Sequence, residues 1–121
     1  MRWLAPILTA FLVLAVGEAR AGFDEGLVAY ERGDCAAALR EFRPLAEQGD
    51  ADGQNLLAAA HASGRGVPQD YVQAHMWLNL SAAQGSETAS NERDIIAERM
   101  TPAQIAEAQH LAREWTEKHQ K

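Results

Sequence analysis

The chain holds a single cysteine, Cys35, among 121 residues. No internal disulfide can therefore staple the fold, and Cys35 is either a buried small hydrophobe or a thiol open to pairing with another chain. Basic residues are scarce too: 11 Lys and Arg face 17 Asp and Glu, a formal net charge of −6. Nucleic acid and anionic membrane both demand clustered Lys and Arg, so neither fits as a partner. Strand-like alternation and low-complexity linkers are missing. No serine sits in a G-x-S-x-G turn, and Gly64-Arg65-Gly66 lacks the later glycine and flanking strand of a phosphate loop.

What is present begins with an apolar N-terminus. Arg2 supplies a positive charge, Trp3 to Val16 is uncharged, and Ala19-Arg20-Ala21 gives the small-x-small pattern of a cleavage site. The apolar run falls short of the roughly 20 residues that span a bilayer, so a retained anchor is the weaker reading. No cysteine follows it closely enough for a lipid anchor. Residues 1–21 are therefore expected to be a signal peptide and residues 22–121 an exported domain, periplasmic or secreted, with no membrane association after cleavage.

The rest reads as helices separated by glycine. Phe23, Leu27 and Tyr30 mark a first short helix ending at Gly33. Asp34 caps a second, with Ala38, Leu39, Phe42, Leu45 and Ala46 on its apolar side; Pro44 should kink it or loosen its last turn, and Gly49 stops it. Asp50 opens a third, with Leu56, Leu57, Ala58, Ala60 and His61, ending at Gly64. Pro68 suits the first turn of a fourth, an amphipathic helix whose Tyr71, Ala74, His75 and Leu78 share one face and which Gly85 closes. Ser86 can cap a fifth, running to about Met100 with Ala89, Ile95 and Ile96 as apolar residues. Thr101, Pro102 and Gln104 form a strong start for a sixth, which carries Ile105, Ala108, Leu111, Ala112 and Trp115, with a Glu114–Lys118 pair on its exposed side.

These helices echo one another. A shift of 36 residues superposes Asp34 on Asp70, Ala38 on Ala74, Phe42 on Leu78, Ala46 on Ala82, Gln48 on Gln84 and Gly49 on Gly85. The first and third helices align at a shorter offset of 31, Tyr30 on His61 and Gly33 on Gly64. The chain thus divides into a first unit at 22–49, a second at 50–85, and a C-terminal helical pair at 86–121 that caps them. The fold class is all-α.

The stretch Gly64–Gly85, GRGVPQDYVQAHMWLNLSAAQG, resembles the Sel1-like repeat, with its G-x-G-V turn, A-x-x-W helix and A-A-x-x-G ending. Gly64, Gly66, Val67, Asp70, Ala74, Trp77, Ala82, Ala83 and Gly85 occupy those places. Gln54 to Ala62 fits the unit's first helix with departures, Leu57-Ala58 for Leu-Gly and His61 for Tyr. The first unit is more degenerate and equally tetratricopeptide-like, through Tyr30, Gly33, Ala38 and Phe42. The ending MTPAQIAEAQHLAREW is similar to the tail of short exported bacterial proteins that carry this repeat.

The resemblance implies an α/α solenoid and a protein-interaction role, with the first helix of each unit lining a concave side. On that mapping Asp24, Val28, Glu31 and Arg32 come from unit one, and Asp52, Asn55, Ala59, Ala62 and Ser63 from unit two. Such a face is mildly acidic and suits an extended peptide with basic groups; self-association is a further expectation. Competing readings are a purely structural subunit of an envelope complex, or a β-lactam-binding hydrolase of the kind seen among cysteine-rich relatives, whose one disulfide per repeat a lone Cys35 does not reproduce.

No catalytic residue, metal site or cofactor is expected. His61 and His75 read as packing residues, and His119 as part of a fraying end. His110 and Glu114, one turn apart, supply two metal ligands where a zinc site needs at least three from protein. Asp50 and Asp52 flank a helix start, where capping accounts for them. Trp77 and Trp115 read as core anchors between stacked units.

Overall fold

A computed structural model describes residues 22–120. Residues 1–21, where the signal peptide is expected, and Lys121 lie outside the described residues. Within them the chain is all-helical: α1 at 22–31, α2 Cys35–Glu47, α3 Ala51–Ser63, α4 Tyr71–Ala83, α5 Glu87–Ala97 and α6 Pro102–His119.

Three of the joints share one construction. Gly33, Gly49 and Gly85 take φ of 81°, 96° and 100°, a left-handed turn that a side chain would strain. The residue after each glycine then closes one helix and opens the next. The Asp34 amide donates to the Ala29 carbonyl at 2.9 Å while its carboxylate accepts the Ala37 amide at 3.1 Å. Asp50 bonds Leu45 and Gly53 in the same way, at 2.9 and 2.8 Å, and Ser86 bonds Ser81 and Ala89 at 3.3 and 3.2 Å. Orphan carbonyls and orphan amides are satisfied together.

The 36-residue echo survives in three dimensions. Helices α2 and α4 both have 13 residues, and each opens at an aspartate cap and ends at a glutamine. Ala38 and Ala74 are both buried, as are Phe42 and Leu78.

The α3–α4 joint is longer, and Pro68 does not begin the helix there. Asp70 is the cap, its carboxylate accepting the Gln73 amide at 3.1 Å and its own amide donating to the His61 carbonyl at 2.8 Å. A helix starting at Pro68 would have Val67 as its cap, which offers no side-chain oxygen, whereas Asp70 does, so Pro68 stays in the joint before α4. Pro44 does not end α2, which runs on to Glu47.

Helix α4 is not the amphipathic helix its period suggests. Ala74, His75, Met76, Trp77, Leu78, Leu80 and Ser81 are all buried, because α3, α5 and α6 each pack on α4. Helices α5 and α6 dock on α4 more than on each other. Ile95, expected to be buried, is 61% exposed, so α5 contributes its apolar side through Ala89 and Ile96. Trp77 is buried at 7% exposure and meets the half-buried Trp115 of α6 edge to face, with ring centroids 6.2 Å apart. His119 does not fray: its ring stacks on Trp115 at 3.8 Å and its Nδ1 donates to the Trp115 carbonyl at 2.7 Å. Glu114 pairs with His110 at 2.7 Å rather than with Lys118. Cys35 is half-buried and free.

Two buried polar side chains fix how α2, α3 and α4 meet. Gln54, fully buried on α3, donates to the Ala46 carbonyl of α2 at 3.1 Å and accepts from Gln84, beyond α4, at 3.0 Å. The Ser81 hydroxyl donates to the Ala51 carbonyl at 2.9 Å. Next to Gln54, Gly53 lies where a Cβ would sit 2.9 Å from Leu45 Cβ and 3.0 Å from the Ala46 nitrogen. Neither neighbour is a flexible side-chain end. Gly53→Ala is thus expected to destabilise the fold by about 1–2 kcal/mol despite alanine's better helix propensity, read as a lower urea midpoint at unchanged slope. An unchanged or higher midpoint would show that α2 and α3 can part to admit a methyl group.

Candidate functional site

A cleft of about 440 Å³ opens between α1 and the start of α2. Asp24, Val28 and Arg32 line it at successive i, i+4 positions of α1, so one helix face supplies acid, aliphatic and base in order. Glu25, Ala29, Asp34 and Ala37 complete the lining. The Asp34 carboxylate is engaged in capping α2, which leaves those of Asp24 and Glu25 facing solvent with Arg32. Val28 is 46% exposed, one of two large hydrophobic residues so placed among the described residues. Phe23 of α1 and Phe42 of α2 are turned to each other, with ring centroids 5.9 Å apart.

The remaining residues expected on a concave face do not line this cleft. Glu31 is exposed on α1 outside its lining. Asp52 and Ser63 are exposed near opposite ends of α3, whereas Asn55, Ala59 and Ala62 are half-buried. Several of these groups serve the backbone. The Ser63 hydroxyl donates to the Ala59 carbonyl at 2.8 Å, and the Ala62 carbonyl accepts from Gln69 at 2.9 Å, holding the turn after α3. Asp24, Val28 and Arg32 thus line one cleft, while the α3 set, at i, i+3, i+7, i+10 and i+11, follows a face of a different helix.

No protein-family profile matches the chain, and no curated protein matches it. Among the described residues no group of three or more His, Cys, Asp or Glu side chains could hold a metal ion, and no helix is long and apolar enough to cross a membrane.

The histidines add a polar feature that periodicity did not reveal. His75 is buried on α4, and the Asn79 amide nitrogen donates to its Nδ1 at 2.9 Å. Arg93 of α5 donates to the Asn79 oxygen and to the Ser90 hydroxyl, each at 3.3 Å, and pairs with Asp94 at 3.3 Å. The Arg93 contact orients the Asn79 amide, and that orientation makes His75 Nδ1 an acceptor in a neutral ring. The i, i+4 spacing of His75 and Asn79 was the available signal. Its partner on α5 was invisible until the helices were packed.

Burial, reinforced by the Arg93 charge and opposed by Asp94, holds the His75 pKa below its ordinary 6.5. Burial likewise lowers His61, with Asp70 opposing and Arg43 assisting. In the unfolded chain both imidazoles take up a proton near 6.5, so the unfolded state binds more protons in mild acid. Their contribution to stability is complete above that value and is lost as pH falls through the lowered folded pKa. The urea midpoint is expected to drop between about pH 8 and about pH 5. His75→Gln keeps an acceptor for Asn79 without titrating and is expected to make that drop shallower. An equally steep drop in the variant would show that His75 does not carry the effect.

Proposed function

We propose that this chain is an exported protein-interaction module without enzymatic activity, built as a short Sel1-like solenoid of two helix pairs and a C-terminal cap. The observation that carries the reading is the α1–α2 cleft, where an exposed Val28 stands between the free carboxylates of Asp24 and Glu25 and the guanidinium of Arg32. An aliphatic contact ringed by charge excludes water from its centre and orients a partner at its rim. With acid outnumbering base around Val28, the cleft suits an extended peptide or protein segment that pairs an aliphatic residue with a basic one.

The repeat construction supports the same reading. Helices α2 and α4 share length, cap and glycine ending at a 36-residue offset. Stacked helix pairs of this kind present side chains on a surface set by the backbone rather than by mobile loops. The apolar run and cleavage pattern at residues 1–21 support export.

A photo-crosslinking residue placed at Val28 in living cells that make the chain tests the proposal. A discrete adduct is expected from Val28 and not from the exposed α6 position Glu107. Reversing charge with Asp24→Lys is expected to cut its yield about tenfold, the effect of ~1.4 kcal/mol in affinity. Equal adducts from both positions, or none from Val28, would overturn the assignment.

A further inference from the structure

Three of the seven arginines among the described residues are engaged with other side chains. Arg65 lies over the Tyr30 ring at 4.9 Å and donates to its hydroxyl. Arg93 holds Asn79, Ser90 and Asp94, and Arg99 donates to the Tyr71 hydroxyl. Arg32, Arg40, Arg43 and Arg113 make no such contact, and of these Arg40 and Arg43 line one groove together. Both are exposed on α2, and the ion pairs of the described residues, Arg93–Asp94 and His110–Glu114, include neither.

These two guanidinium groups share a groove of their own, distinct from the α1–α2 cleft. Ala36, Arg40, Arg43 and Glu47 run along one stripe of α2 at i, i+4, i+7 and i+11, and Leu39 and Pro44 give the groove an apolar floor. Its far wall is the backbone of the α3–α4 joint at Gly66. That wall is fixed. Gly66 has a φ of 86°, and a Cβ there would meet Leu39 Cδ1 at 2.9 Å and Cys35 Cβ at 3.1 Å. The groove is thus walled by the turn that joins α3 to α4 within the second unit.

We infer that this α2 groove is a second docking surface, whose occupant is an acidic peptide segment with interspersed aliphatic residues. Charge complementarity carries the choice. Two exposed guanidinium groups sit side by side in a chain of net charge −6, without a carboxylate partner among the described residues. Guanidinium forks bind carboxylates two bonds at a time, and no existing ion pair has to break for them to do so. Aliphatic side chains of the same segment then cover Leu39 and Pro44. Glu47 at the end of the stripe repels further acid and sets the limit of the site.

The test is fluorescence anisotropy of the purified full chain with a short labelled peptide containing Asp-Leu-Asp-Leu, against the same peptide with Asn for Asp. The acidic peptide is expected to bind at least about tenfold more tightly, and its affinity to fall as salt rises. Arg40→Gln and Arg43→Gln should each weaken it, and together remove the preference. The Lys double variant should restore part of it, since charge remains without the fork. Arg113→Gln on α6 should change nothing, and the helical circular-dichroism signal of every variant should match the parent. Equal affinity for the two peptides, indifference to the arginine replacements, or no saturation at about millimolar peptide would each overturn the inference.

Discussion

One buried amide sets the register of the repeat. Gln54 is on α3, yet its nitrogen bonds the last turn of α2 and its oxygen bonds the residue that ends α4. A polar group with no access to water must be paired on both sides, so α2, α3 and α4 can settle only where both bonds form. Ser81 adds a third constraint by reaching the first residue of α3. Gly53 makes the arrangement possible, because any side chain there would hold α2 away from the Gln54 amide. The C-terminal helices then assemble on α4, with Trp115 closing against Trp77.

On the proposed reading, binding is arranged around this packed centre rather than in it. The two clefts with a readable chemistry flank α2, one against α1 and the other against the α3–α4 joint. Each contains an apolar floor and unpaired charge, with the acidic balance in one and the basic balance in the other. The titrating histidines lie at the α4–α5 contact and beside the α3–α4 turn, where burial lowers both and the charge of Arg43, from the second groove, adds to the effect on His61.

Much of the fold was legible because its signals are local. Asp34, Asp50, Ser86 and Thr101 cap helices through bonds to amides three residues on, and left-handed glycines mark where helices stop. Local signals also misled. Pro68 looks like a helix start, but the Asp70 carboxylate two residues later offers a better one. His119 looks frayed on composition alone, and the Trp115 ring beneath it holds it in place. The candidate site was half legible. Asp24, Val28 and Arg32, assigned by resemblance, line one cleft together, and the α3 residues assigned with them lie outside its lining.

The sequence by itself determined the helices, their joints and the 36-residue echo, since these depend on φ, capping and spacing within a few residues. Only tertiary structure decided which faces are buried. Helix α4 has three neighbours and so buries nearly all its circumference, which no periodicity within it could state. The link from His75 through Asn79 to Arg93, and the sharing of one groove by Arg40 and Arg43, follow from which elements meet in space. Burial and pairing are properties of neighbours, and neighbours are set by packing.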